Sequence, residues 1–159
     1  IMQGDGKAWL FAPKGVVDGP MPTHYEPVES PVENALYSVQ ANPTVEHIRA
    51  AYNRESPSRS EVFPYTFTTY RLTEHHTAGG MSRTLPYLSE LQPEFFVEVS
   101  PQLAELRGLT NGEYATLVSS RTAIEAKVLV TERVRPIRLR DGQVVHQIGM
   151  PYHWSYSGL

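Results

Sequence analysis

The sequence predicts a mainly β fold with short helices, a closed or nearly closed barrel preceded by an extended proline-rich arm. Three observations carry this. Runs of strand character dominate residues 64–159; a short helix with both ends signed sits inside that strand succession; and eight of the 13 prolines fall in the first 64 residues. A helix interleaved among strands suits a barrel with helical crossovers better than a parallel doubly wound sheet. Residues 1–63 are therefore read as a connector arm and 64–159 as one barrel domain.

The arm contains stretches such as GPMPTHYEPVESP and keeps no period of 2 or 3.6. Proline fixes φ and removes donors, so an extended path over a larger body is expected. KAWLF (7–11) reads as a short strand and VEHIRAAY (45–52) as a brief helix, with Trp9, Phe11, Tyr25, Tyr37 and Tyr52 as apolar anchors.

In the second part, PYTFTTYR (64–71) is aromatic and threonine-rich, as strands are. Leu85, Leu88 and Leu91 recur at three-residue spacing and predict a short helix facing the core. FFVEVS (95–100) is a second strand. SPQLAELRG follows, with Ser100 as N-cap, Pro101 at the first helical position and Gly108 just past the end, a two-turn helix. NGEYATLVSS sets Tyr114, Thr116 and Val118 against Ala115, Leu117 and Ser119. TAIEAKVLVTE places Ile124, Ala126, Val128 and Val130 on one face. IRLR, the turn Asp141-Gly142 and QVVHQIGM read as a last hairpin.

Composition narrows function. The 159 residues contain no cysteine, which removes disulfides, thiolate zinc sites, cysteine-held iron–sulfur clusters and cysteine nucleophiles. A net charge of -3 argues against a general nucleic-acid binder, and no run approaches the roughly 18 apolar residues of a membrane span. No basic n-region with an apolar core opens the chain, so no signal peptide is expected, and a start at Ile1 suggests a fragment or processed chain. Eleven of the 14 basic residues are arginine, the side chain suited to bidentate recognition of phosphate or carboxylate; plain codon usage gives the same count.

The chemistry concentrates in RLTEHHTAGGMSR (71–83), between an expected strand and an expected helix. Gly79 and Gly80 allow backbone N–H groups to approach an anion, Thr77 and Ser82 offer hydroxyls, and Arg71 and Arg83 offer charge-assisted bonds. Together these describe a diphosphate or nucleotide site that opens onto a cavity, though a Gly-Gly pair is also simply a turn. His75 and His76 point apart if extended, which disfavours a shared metal, and His24, His47, His146 and His153 show no ligand spacing. Glu74 beside His75 fits an acid/base pair or an ordinary hydrogen bond. Gly4-Asp5-Gly6 lacks the rest of a dinucleotide fingerprint, and ERVRPIRLRD reads as a solvated barrel face.

TYRLTEHHTAGGMSR, the stretch from QPEFFVEVSPQLAELRG through TERVRPI, and HQIGMPYHW, in that order, resemble the C-terminal molybdopterin-dinucleotide-binding domain of the formate dehydrogenase large (alpha) subunit, in the dimethyl sulfoxide reductase superfamily. QGDGKAWLFAPKGVVDGPMPTHYEPVESPVENALY resembles the connector before it, so the likeness spans the chain. It implies a double-psi β-barrel that grips molybdopterin guanine dinucleotide, two copies of which chelate Mo or W. It implies cofactor contacts at Thr69, Arg71, Glu74, His75, His76 and Thr77, an edge at Gly79, Gly80 and Ser82, a second wall at Tyr152, His153 and Trp154, and a further contact at Ser119.

The resemblance also implies formate oxidation to CO2 in the assembled enzyme, with electrons leaving through iron–sulfur clusters. The catalytic cysteine or selenocysteine and the cluster ligands belong to earlier domains, so this chain is not expected to be catalytic alone. It ends at Leu159, short of the family's final Asn-containing loop and closing strand. Expected partners are the remaining domains or chain of the large subunit and an iron–sulfur electron-transfer subunit, without nucleic acid or direct membrane insertion. A periplasmic location follows by analogy, with a cytoplasmic one as the alternative. Two rivals stand beside this reading. One is another enzyme of the superfamily, a nitrate reductase or formylmethanofuran dehydrogenase; the other is a non-catalytic interaction fragment.

Overall fold

The computed structural model describes residues 24–42, 50–52 and 54–154, together with Gly4 and Gly6. The KAWLF strand, Trp9, Phe11 and Asp5 lie outside the described residues. So does most of the expected 45–52 helix, of which Ala50, Ala51 and Tyr52 form a bridge and a turn.

The fold is mainly β with few short helices. In chain order it comprises β1 (Thr66–Tyr70), a 3-10 turn (Ser82–Thr84), α1 (Pro86–Leu91), β2 (Phe96–Val99), α2 (Pro101–Arg107), β3 (Tyr114–Val118), β4 (Ala123–Val130), β5 (Ile137–Arg138), β6 (Val144–Val145) and β7 (Gln147–Pro151). Five strands form one sheet in the order β1-β7-β2-β4-β3, while β5 and β6 form a separate ribbon. The sheet is mixed: β1/β7 and β2/β4 are parallel, β2/β7 and β3/β4 antiparallel. Among the described residues no pairing joins β1 to β3, so the expected closure is not among the observed pairings.

The core lies where β2 meets α2. Val97 and Val99 project from β2 onto Leu103 and Ala104 of α2, Ala126 and Val128 of β4, and Met150 of β7. Glu98 points to the opposite face and is also buried, because β2 is the central strand and both of its faces are covered. The helix that supplies Leu103 is set by its ends. The Leu103 N–H donates to Ser100 Oγ at 3.1 Å, Pro101 opens the first turn, and Gly108 closes it in the left-handed region at φ 63. An N-cap of this kind contributes about 1 kcal/mol.

Three expectations are corrected. Helix α1 forms, but it buries no residue: Leu85 and Leu91 are exposed and Leu88 is half-buried, because no sheet face lies over that side. QVVHQIGM is not one strand: Val144–Val145 pairs with β5, then β7 runs parallel to β1 and antiparallel to β2. Gly149 makes this passage feasible, since a Cβ there would lie 3.0 Å from the Tyr70 ring and 3.3 Å from Val134.

The described part of the proline-rich stretch is the third. It is not an extended arm but a turn-rich loop closed on itself, with the Glu26 N–H donating to Gln40 O and Asn34 Nδ2 donating to both His24 O and Val39 O. Glu29 ties that loop to the turn after β3: it accepts from Ser56 N, Ser120 Oγ and both Nη atoms of Arg121. Of the expected anchors, Tyr25 is half-buried, whereas Tyr37 and Tyr52 are exposed.

Candidate functional site

The 71–83 loop begins where β1 ends and folds around two buried histidines. His153, immediately beyond β7 and fully buried, accepts the Leu72 N–H at Nε2 (2.8 Å). Its Nδ1 therefore carries the proton and donates to Thr77 O at 2.6 Å. One ring thus fixes both limbs of the loop, and Thr77 sits in the left-handed region at φ 45. Gly79, at φ 81, crosses directly over this ring's backbone: a Cβ there would fall 2.0 Å from His153 O. Only glycine meets both conditions.

His75 is the second pin. Its Nε2 lies 2.8 Å from Gln92 O, which can only accept, so Nε2 donates. Its Nδ1 lies 3.1 Å from Ser82 Oγ, which accepts the His76 N–H at 3.1 Å and lies 3.3 Å from Gly79 O. Trp154 packs edge-on against the His75 ring, centroids 4.9 Å apart, and Phe95 packs behind Trp154. Arg83 closes the turn, donating from Nε to Gly79 O, with its guanidinium 5.8 Å from the Trp154 ring centre.

The expected contact residues therefore separate into two groups. His75, Ser82 and His153 are buried and their polar atoms are committed to hydrogen bonds that hold the loop, so they position it. Arg71, His76 and Thr77 are exposed. The Arg71 guanidinium lies 4.5 Å over the Tyr152 ring centre, and its N–H groups meet no protein acceptor among the described residues. Glu74 is half-buried and forms no hydrogen bond with His75, so the acid/base pair is not made. Gly80 borders open space. Thr69 is exposed on edge strand β1, near the loop's start.

Ser119 stands apart. It belongs to the turn after β3, the opposite edge of the sheet, where its Oγ lies within bonding distance of Thr122 O and accepts from Thr122 N. Nor does the loop line either of two grooves among the described residues, one of about 420 Å³ lined by Glu33, Asn34 and Arg59 among others and one of about 370 Å³ lined by Gln102, Arg135 and Arg138 among others.

A polar cluster behind β1, built on the buried Glu98, was not foreseen. Glu98 Oε1 accepts from Arg133 Nη2 at 2.5 Å, and the same guanidinium lies 4.9 Å over the Tyr70 ring. Burial, reinforced by the Glu98 carboxylate, pushes the Tyr70 phenol well above its ordinary range, so it stays protonated. The available signal was the lone acid in FFVEVS, flanked by valines in a strand buried on both faces. Among the described residues no group of three or more His, Asp or Glu could hold a metal, and no helix is long and apolar enough to cross a membrane.

Comparison with known proteins identifies the family. The family model for the molydopterin dinucleotide binding domain matches residues 65–158. Formate dehydrogenase subunit alpha of Megalodesulfovibrio gigas is 40% identical over 158 residues, which is 99% of this chain and 15% of that protein. The major subunit of the nitrate-inducible formate dehydrogenase of Escherichia coli K12 is 40% identical over 163 aligned residues, 100% of this chain and 15% of its own length. The chain thus spans about 15% of the length of these curated relatives. Acetylene hydratase from Pelobacter acetylenicus matches 58% of this chain and 11% of its own at a TM-score of 0.46 and 14% identity, a likeness too slight to fix the fold. With the family model covering residues 65–158 and relatives aligning from end to end, the chain belongs to the molydopterin dinucleotide binding domain family.

Proposed function

We propose that this chain is the part of a formate dehydrogenase large subunit that holds molybdopterin guanine dinucleotide, and that its barrel is of the double-psi kind. The observation that carries the reading is Arg71, whose guanidinium lies over the Tyr152 ring with no acceptor for its N–H groups among the described residues, at the mouth of a loop pinned by His75 and His153. A guanidinium so presented can give two parallel hydrogen bonds to a phosphate. His76 and Thr77 add exposed donors beside it. These residue types fit a phosphorylated dinucleotide, and relatives named as formate dehydrogenases along the whole chain favour formate over other substrates of the superfamily.

In this reading Arg71, His76, Thr77 and Tyr152 hold the cofactor, while His75, Ser82 and His153 keep the loop in shape. Glu74, Trp154, Thr69, Gly79 and Gly80 border the site. When bound, the cofactor supplies the Mo or W centre at which two-electron oxidation occurs. The protein's part is orientation and neutralisation of the pyrophosphate. Catalysis, an iron–sulfur partner and a periplasmic location belong to the whole enzyme. The test is Arg71→Ala in the large subunit that carries this domain. Pterin and metal per subunit should fall several-fold with an unchanged melting temperature, and undiminished loading would overturn the assignment.

A further inference from the structure

The arginine run 133–140 divides in the fold. Arg133 is paired with Glu98, whereas Arg135 and Arg138 line the groove of about 370 Å³ together with Gln102, Pro136, Val144 and His146. This groove lies at the end of β7 opposite the 71–83 loop: His146 precedes that strand and His153 follows it, roughly 20 Å apart along an extended chain. The pairing of β5 with β6 sets Arg138 directly across from Val144, and side chains two positions apart share a face. Arg138, Val144 and His146 thus come to one side of the ribbon, while Val145 is buried on the other. Arg135 enters from the segment before β5, where its carbonyl accepts from Gln147 Nε2 at 2.7 Å, and Gln102 enters from the first turn of α2.

The charge in this groove is unbalanced, because no carboxylate lines it. The groove of about 420 Å³, by contrast, holds Glu33 and Arg59 as an ion pair and is neutral within itself. Arg135 reaches only Glu132: its Nε donates to the Glu132 carbonyl and lies 3.5 Å from the carboxylate, an exposed pair that water screens. Among the described residues Arg138 meets no acceptor and neither ring nitrogen of His146 has a hydrogen-bond partner, although Nδ1 is buried. Buried polar atoms are nearly always partnered, so this imidazole keeps unused bonding capacity beside two guanidiniums.

We propose that the groove binds a phosphate group, free or as a monoester. Near pH 7 such a group carries a charge of about -1.5 to -2 and three strong acceptor oxygens. Two guanidiniums match that charge, and their N–H edges, the Gln102 amide and the His146 ring supply donors for all three oxygens. A monocarboxylate would leave one cation unbalanced. Pro136 and Val144 form the apolar side, against which the organic part of an ester lies. None of these residues is among those assigned to the dinucleotide.

The test is equilibrium dialysis of radiolabelled inorganic phosphate against the intact large subunit that carries this domain, with phenyl phosphate as competitor and acetate as the carboxylate control. One saturable site is expected. Arg138→Ala and Arg135→Ala, both at exposed positions, should each weaken it about ten-fold or more without moving the melting temperature. Arg140→Ala, in the same run but outside the groove, and Arg71→Ala, in the loop, should each change it by less than about two-fold. Tighter competition by phenyl phosphate than by phosphate itself supports an ester as the occupant, and equal competition supports free phosphate. Absence of a saturable site, acetate competing as well as phosphate, or a loss with Arg140→Ala or Arg71→Ala as large as that with Arg138→Ala overturns the proposal.

Discussion

His153 and Thr77, 76 residues apart in the chain, meet through a 2.6 Å hydrogen bond from the imidazole Nδ1 to the carbonyl oxygen, while the same ring's Nε2 accepts the Leu72 N–H. A single side chain beyond β7 thus holds the loop that follows β1 at its start and at its middle. Replacing it with alanine leaves the part-buried Leu72 N–H and Thr77 C=O without this partner and opens a cavity where the buried ring stood. His153→Ala should destabilise the chain by about 2–4 kcal/mol in urea unfolding. His153→Asn, which has one donor and one acceptor on a shorter arm, should recover only part of that loss.

The adjacent glycines make opposite demands. Gly79→Ala meets His153 O at 2.0 Å with a left-handed backbone, whereas Gly80→Ala meets nothing within 4 Å. The first should cost at least about 2 kcal/mol and raise hydrogen exchange at Leu72 and His76; the second should stay within about 1 kcal/mol. Similar effects of the two substitutions would show that the crossing of Gly79 over His153 is not maintained in solution.

Glu29 gives the stability a pH dependence. Hydrogen bonds from Arg121, ahead of the opposing effect of burial, hold its carboxyl down to about 2. A depressed folded-state value means that the stabilisation is complete above the ordinary glutamate value of about 4.3 and fades as pH falls toward 2. Because Arg121 is partly exposed, solvent screening reduces the contribution to about 1 kcal/mol. Glu29→Gln should therefore melt below wild type at pH 6 and match it near pH 2. A gap that persists at low pH would deny the ion pair this role.

Glu98 is 3% exposed, and Arg133 is its salt-bridge partner. Arg133→Ala strands a buried carboxylate and should cost about 2–3 kcal/mol, less than a fully buried pair because the Arg133 side chain is 61% exposed. Adding Glu98→Gln should restore at least half of that loss, because the neutral amide needs no cation. Additive losses in the double-mutant cycle would contradict the coupling.

Features whose causes are local were legible in the sequence. Ser100, Pro101 and Gly108 act within one or two turns of the helix they bound, so α2 emerged with both ends correct. The turn at Asp141-Gly142 likewise follows from its own residues, with Gly142 at φ 89 and Asp141 accepting the Gln143 N–H.

What tertiary structure alone decided is which of those residues face outward. His75 and Ser82 read as ligands beside His76 and Thr77, yet the fold turns them inward, because Gln92 O and the ring of Trp154 reach them from distant parts of the chain. The same holds for β7, whose parallel pairing with β1 brings His153 under the loop from about eighty residues away, and for α1, whose leucines find no sheet face above them. Periodicity and capping depend on neighbours three or four positions apart, and the sequence by itself determined those elements. Burial depends on which strands lie side by side, and only the order β1-β7-β2-β4-β3 settles that.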